Sequence, residues 1–186
     1  MTPLARDAPR VLFDTSPLVN LGQCGLLFQL VQYVGARGAV TRDVHNEIVR
    51  NLGRFPDLRA LGMLRWPPGQ PLDVPVDLIA DVEAIRKLNT EAGASPDKNR
   101  GEVATALVAA RLGDTLAVME DRLGKRLCQM RGVPRLSTAL LVAELVASGV
   151  VGEPEGLAAF EHCTPTGIGK SEFEHSVATA SAMLSA

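Results

Sequence analysis

The chain has 186 residues, 46% of them hydrophobic, and a mean hydropathy of +0.12, which excludes a disordered polymer and leaves room for a real core. Its net charge of −2 and pI of about 5.9 exclude binding nucleic acid by global charge; a local basic patch would be needed. Aromatics are only 4%, so the core must be aliphatic, and no apolar run is long enough to span a bilayer.

Met1 to Arg10 has no apolar h-region, so no signal peptide is expected. Val11-Leu12-Phe13 is a short apolar run of the kind that forms a strand buried on both faces, and it runs straight into Asp14. Ser16-Pro17 then reads as a helix start, with a hydroxyl at the N-cap and proline at the first helical position. This places Asp14 at the carboxyl end of a central strand, where open α/β sheets bind ligands. The plainer alternative is that Asp14 merely caps the helix that follows.

Helices are expected over Ser16 to Gly22 and Gly25 to Val34, then a short strand at Ala39-Val40 and a helix from Thr41 to Val49. Val44 and Ile48 face the core of that helix, and Glu47 sits on the border of their face. Residues 52–75 hold five prolines and read as loop, with a short helix at Asp57 to Met63 and a short strand near Leu64 to Trp66. Val76 to Glu91 is helical, and Ala92 to Asn99 is a polar turn. Arg100 to Leu112 is an Ala- and Leu-rich helix with Glu102 in its first turn, where the helix dipole favours a carboxylate. Ala106 and Ala109 share the Glu102 face and permit close approach of a neighbour. Leu116 to Met119 is a second buried strand ending in Glu120-Asp121, which repeats the pattern at Asp14. A helix from Leu123 to Met130, a strand from Val133 to Leu136 and a Ser137-capped helix from Thr138 to Ala147 follow. Strands alternating with helices predict an α/β fold with a mostly parallel sheet between helical layers, and right-handed crossovers put all strand carboxyl ends on one edge.

Residues 152–186 form a helical appendage: Glu153 to His162, then a capping box at Ser171-Glu172-Phe173-Glu174 opening a last helix. Gly167-Ile168-Gly169-Lys170-Ser171 lacks the first glycine of a P-loop and no strand precedes it. The cysteines at 24, 128 and 163 are odd in number and form neither a disulfide framework nor a CxxC pair, which suits a reducing cytosol. His162, Cys163 and His175 match no common zinc spacing.

Asp14, Glu47, Glu102 and Asp121 thus come from four separate elements. Four carboxylates at one edge repel each other and call for a hard divalent cation, and all-oxygen ligation selects magnesium or manganese over zinc. Such a site activates water and clamps a phosphodiester.

Four blocks carry a resemblance: Val11 to Leu21 with Asp14-Thr15-Ser16, Val44-His45-Asn46-Glu47-Ile48, Arg100-Gly101-Glu102-Val103-Ala104 and Val118-Met119-Glu120-Asp121-Arg122. In order and context they resemble the acidic blocks of the PIN-domain family, and Ser137-Thr138 is similar to that family's hydroxyl-bearing turn. The resemblance covers Arg10 to Val151, so residues 1–151 would be the nuclease domain, with a segment at 52–95 longer than in the compact VapC-type toxins. It implies a three-layer α/β/α fold and a metal-dependent endoribonuclease using Mg2+ or Mn2+, with RNA as substrate. It further suggests an antitoxin partner and a homodimer; the cytoplasmic location expected here rests on the cysteine usage. By the resemblance, Asp14, Glu102 and Asp121 would hold the metal or its waters. Glu47 would complete the acidic ring or orient water, and Ser16 would hydrogen-bond a ligand carboxylate or the scissile phosphate. Of Glu120-Asp121, Asp121 is chosen because the family's acid precedes the basic position; Asp97 is a lesser candidate beside Glu102.

The rival reading is a catalytically silent module of the same fold that binds RNA or a protein partner. A haloacid dehalogenase-type phosphatase would need an aspartate at position 16, which is serine, and a dinucleotide site would need a glycine-rich first turn. Finally, Arg122 to Arg135 holds five basic residues and no acidic one. Arg122, Lys125 and Arg126 share a helical face that starts beside Asp121, and they are the expected phosphate contacts.

Overall fold

Val11, Leu12 and Phe13 lie within β1 (Arg10–Phe13), sealed from solvent. A strand without a polar face needs partners on both edges and layers over both faces. Both are present in the computed structural model, which describes residues 4–91, 93, 95, 97–164 and 169–185. After β1 come α1 (Thr15–Gln23), α2 (Leu27–Val34), a 3-10 turn (Gly35–Arg37), β2 (Gly38–Val40) and α3 (Arg42–Asn51). A second 3-10 turn (Pro56–Leu58) leads into α4 (Arg59–Met63), then α5 (Val76–Leu88) and α6 (Arg100–Leu112). The chain continues through β3 (Thr115–Val118), α7 (Arg122–Arg131), β4 (Arg135–Leu136), α8 (Thr138–Ala147), α9 (Glu153–Cys163) and α10 (Lys170–Leu184). The protein is therefore α/β. Among the described residues no helix is long and apolar enough to cross a membrane.

The four strands are parallel, in the order β2-β1-β3-β4. Pleating sends alternate residues to opposite faces. Val11, Phe13, Val40, Leu116 and Val118 join one apolar cluster, with Leu18 and Leu21 of α1, Leu30 of α2, Val44 of α3 and Leu141 of α8. Leu12, Ala117 and Met119 join the other, with Val82 of α5, Ala106 and Leu107 of α6 and Leu127 of α7. Phe160 of α9 and Phe173 of α10 enter the first cluster and meet edge to face, with centroids 5.4 Å apart.

This topology contains a switch point. The crossover from β1 to β2 runs through α1 and α2 over one face, while that from β3 to β4 runs through α7 over the other. Adjacent strands whose connections leave in opposite directions open a crevice at their carboxyl ends. β1 and β3 are such a pair, with Phe13 beside Val118.

Three local expectations are corrected. Thr15, not Pro17, is the first residue of α1, and Asp14, not Ser16, occupies the N-cap position. Proline is accommodated in that first turn because helix-initial N–H groups have no intrahelical partner to lose. Leu64 to Trp66 is not a strand: the Leu64 and Trp66 N–H groups close helical turns onto Ala60 and Leu61, and Arg65 has φ +50°. The extended partner is instead Leu72, which donates to Val40 and accepts from Arg42. α10 begins at Lys170 after Gly169 without a side-chain cap, so Ser171 lies inside the first turn and no capping box forms. Part of the run set aside as a P-loop (167–168), and part of the polar turn (92, 94 and 96), lie outside the described residues.

Trp66 braces the sheet under β1. Its ring meets Phe13 edge-on at 5.5 Å, and its indole N–H donates to the Gly35 carbonyl at 3.3 Å. Gly38 of β2 lies against the ring: a Cβ there would come within 2.8 Å of Trp66 Cε2. A buried indole cannot yield cheaply, and overpacking of this kind costs about 1–3 kcal/mol. Gly38→Ala should lower stability by that amount in a denaturant titration followed by Trp66 fluorescence. An unmoved midpoint would show that the ring is not fixed.

Candidate active site

Asp14 follows the last residue of β1, and its N–H extends the ladder by donating to the Val118 carbonyl at 3.0 Å. The pleat puts its side chain on the Leu12 face, toward α6. The carboxyl is 1% exposed. Although Asp14 holds the N-cap position of α1, its side chain makes no capping hydrogen bond, and Oδ1 has no partner among the described residues. Burial pushes its pKa well above the ordinary carboxylate range, and Glu102, Glu47 and Asp121 push it further; the Thr15 backbone offsets only part of this.

The other three acids reach the same place from different elements. Glu47 projects from α3, half-buried, and accepts a hydrogen bond from the Thr15 hydroxyl at 2.7 Å. Glu102 lies in the first turn of α6; burial raises its pKa, and Asp121 and Glu47 add to the rise. Asp121 caps α7, with Oδ1 accepting from the N–H groups of Leu123 at 2.6 Å and Gly124 at 3.3 Å. Gly101 eases this convergence: a Cβ there would sit 3.1 Å from Glu47 Oε2 and 3.5 Å from Asp14 Oδ1. Gly124 instead makes room for Met119, whose Sδ would lie 2.7 Å from a Cβ at that position.

Neighbouring residues sort themselves by their partners. The Thr15 hydroxyl, rather than that of Ser16, is the one bonded to an acid. Glu120 turns away from Asp14: it accepts from the Thr138 N–H and pairs with Lys125 at 3.3 Å. Asp97 is paired with Arg50. Ser137 caps α8 by accepting from Leu140 N–H at 3.3 Å. Arg122, Lys125 and Arg126 line one cleft on the outer side of α7. His162 contacts Gln23 at 3.1 Å and shares no metal group with Cys163 and His175.

No cation among the described residues pairs with Asp14, Glu47, Glu102 or Asp121, so their mutual repulsion is relieved only by Thr15, helix-terminal N–H groups and protonation. Among the described residues no three such side chains already form a metal cage. The donor set is nonetheless all oxygen, and the unanswered Oδ1 of Asp14 faces it, which fits a hard cation of the magnesium or manganese type. No protein-family model, curated protein or solved structure matches this chain.

The raised pKa of Asp14 has a signed consequence. The folded chain holds this proton more tightly than the unfolded one. The contribution to stability is therefore fully present below the ordinary value of about 3.9 and is lost as pH rises through the raised value. In EDTA, the protein should lose stability as pH climbs from about 4 upward. Asp14→Asn should flatten that dependence and be the more stable protein at neutral pH. Parallel stability–pH curves for the two proteins would contradict the buried-carboxyl assignment.

Proposed function

We propose that this chain is a metal-dependent endonuclease that hydrolyses phosphodiester bonds in RNA, with Asp14 at its centre. The observation that carries the reading is the Asp14 carboxyl itself, buried at a sheet switch point, lacking a partner at Oδ1 and lying in the field of three more carboxylates. A structural aspartate would cap its helix or pair with a cation; among the described residues this one makes no side-chain capping bond and has no cationic partner. The resemblance of the four blocks to PIN-domain sequences supports the same reading, and with it the toxin-like role, the antitoxin partner and the homodimer.

Asp14, Glu102 and Asp121 would hold the cation. When bound, a divalent ion supplies charge stabilisation to the phosphate oxygens and makes water a better nucleophile near neutral pH. Glu47 is held in place by the Thr15 hydroxyl, which leaves its second carboxylate oxygen to orient water or take a proton. Ser16, half-buried in the first turn of α1, would donate to the scissile phosphate. Asp121 serves two ends at once: its Oδ1 fixes the start of α7, and its other oxygen is left for the site.

The direct test is cleavage of mixed single-stranded RNA and DNA in magnesium, manganese or EDTA. Cleavage should need the metal, favour RNA and vanish in Asp14→Asn. Undiminished activity in the variant would sink the assignment, and RNA binding without cleavage would assign the chain to a binding module. Metal should also stabilise the fold, by about 2.7 kcal/mol at a concentration a hundred times the Kd. Asp14→Asn should blunt that gain in a thermal-shift titration.

A further inference from the structure

We infer that the cleft between α7 and β4 is the track of a single nucleic-acid strand, so that the polymer lies to one side of the acidic centre. This rests on the nuclease reading only for the identity of the polyanion; the cleft itself stands on its own geometry. Its walls are Arg122, Lys125, Arg126, Gln129, Val133 and Arg135, enclosing about 590 Å3, and no carboxylate is among them. Arg122, Arg126 and Arg135 have no acidic partner among the described residues, and Lys125 shares Glu120. The opposite flank is different in kind. There Arg42 is paired with Asp73, Arg50 with Asp97, Arg86 with Glu83, and Arg100 with both Asp43 and Glu83. The cleft thus gathers four cationic side chains and no acid, within a chain that is acidic overall.

Placement supports the same occupant. α7 starts immediately after its Asp121 cap, so Arg122 adjoins the acids. From Arg122 to Gln129 the helix advances about 10 Å, enough to hold more than one phosphate. β4 is the last strand of the sheet, so the cleft is open along its length at the sheet edge. No aromatic side chain lines it, so there is no platform on which bases could stack. Guanidinium and ammonium groups contact phosphates, and phosphate contacts carry no sequence information. The cleft would hold one backbone irrespective of sequence.

The test is fluorescence anisotropy of the full chain with a labelled twelve-nucleotide oligouridine in EDTA, over a salt series. Two double variants are compared: Arg126→Gln with Arg135→Gln in the cleft, and Arg42→Gln with Arg50→Gln on the paired flank. Each single-strand phosphate contact contributes a slope of about −0.7 in log affinity against log salt. The cleft variant should bind on the order of tenfold more weakly, with a slope about 1.4 units shallower, while the flank variant keeps both values. Equal losses in the two variants, or an unchanged slope in the cleft variant, would overturn the inference. So would tighter binding of a duplex than of either of its strands. Because this arm runs without metal, it separates the two readings: binding through the cleft with no cleavage under any metal would overturn the nuclease and leave the track. Metal-dependent cleavage with undiminished binding by the cleft variant would do the reverse.

Discussion

Among the described residues Asp14 Oδ1 has no hydrogen-bond partner, and Asp14 is shut away from water at the end of β1. An ionised carboxylate in such a place costs several kcal/mol unless something compensates it. The surroundings add to the cost, since the groups nearest in charge are Glu102, Glu47 and Asp121. The architecture around this point has to tolerate the strain. A sheet with two apolar layers supplies the stiffness: β1 is locked to β2 and β3 on its edges and to separate aliphatic clusters on its faces. A small residue supplies the access, since Gly101 lets α6 close in on Glu47 and Asp14.

Charge is distributed with the same economy. On the flank formed by α3, α5 and α6, arginines and acids neutralise one another, so that flank presents little net field. α7 carries its positive charge almost uncompensated, beginning one residue past an acid of the centre. The result is a negative pocket set directly beside a positive helix, two fields of opposite sign within one sheet edge.

Much of the frame was legible from periodicity alone. The apolar run of β1, its repeat in β3 and the alternation with helices dictate a parallel sheet with Asp14 and Asp121 on one edge. The finer features depend on geometry that spacing does not encode. Moving the start of α1 back to Thr15 leaves the Thr15 hydroxyl, not that of Ser16, bonded to Glu47. Gly101 sits in the first turn of a helix beside an acid, where a glycine can signal close approach, but only the packing of α3 against α6 shows what approaches. Glu144 is the clearest omission. A lone acid within an apolar helix should find donors, and it does: the Ala5 and Arg6 N–H groups and the Tyr33 hydroxyl, at 2.8–2.9 Å. Those partners are more than a hundred residues away in sequence, beyond the reach of any local pattern.

The strand order has a consequence for how the chain assembles during synthesis. β1 precedes the other three strands in sequence, yet it is central, and its second neighbour, β3, comes only after α6. Until then β1 can pair with β2 alone, and one of its edges stays open. The Glu144 anchor for the segment ahead of β1 emerges later still. Long-range pairing of this sort is slow, because loop closure must precede the contacts that reward it. The four acids come together only where β3 docks beside β1 and brings Asp121 to the same sheet edge. An emerging chain therefore exposes the open edge of β1 until β3 follows, an unpaired backbone edge of the kind that invites pairing with another chain.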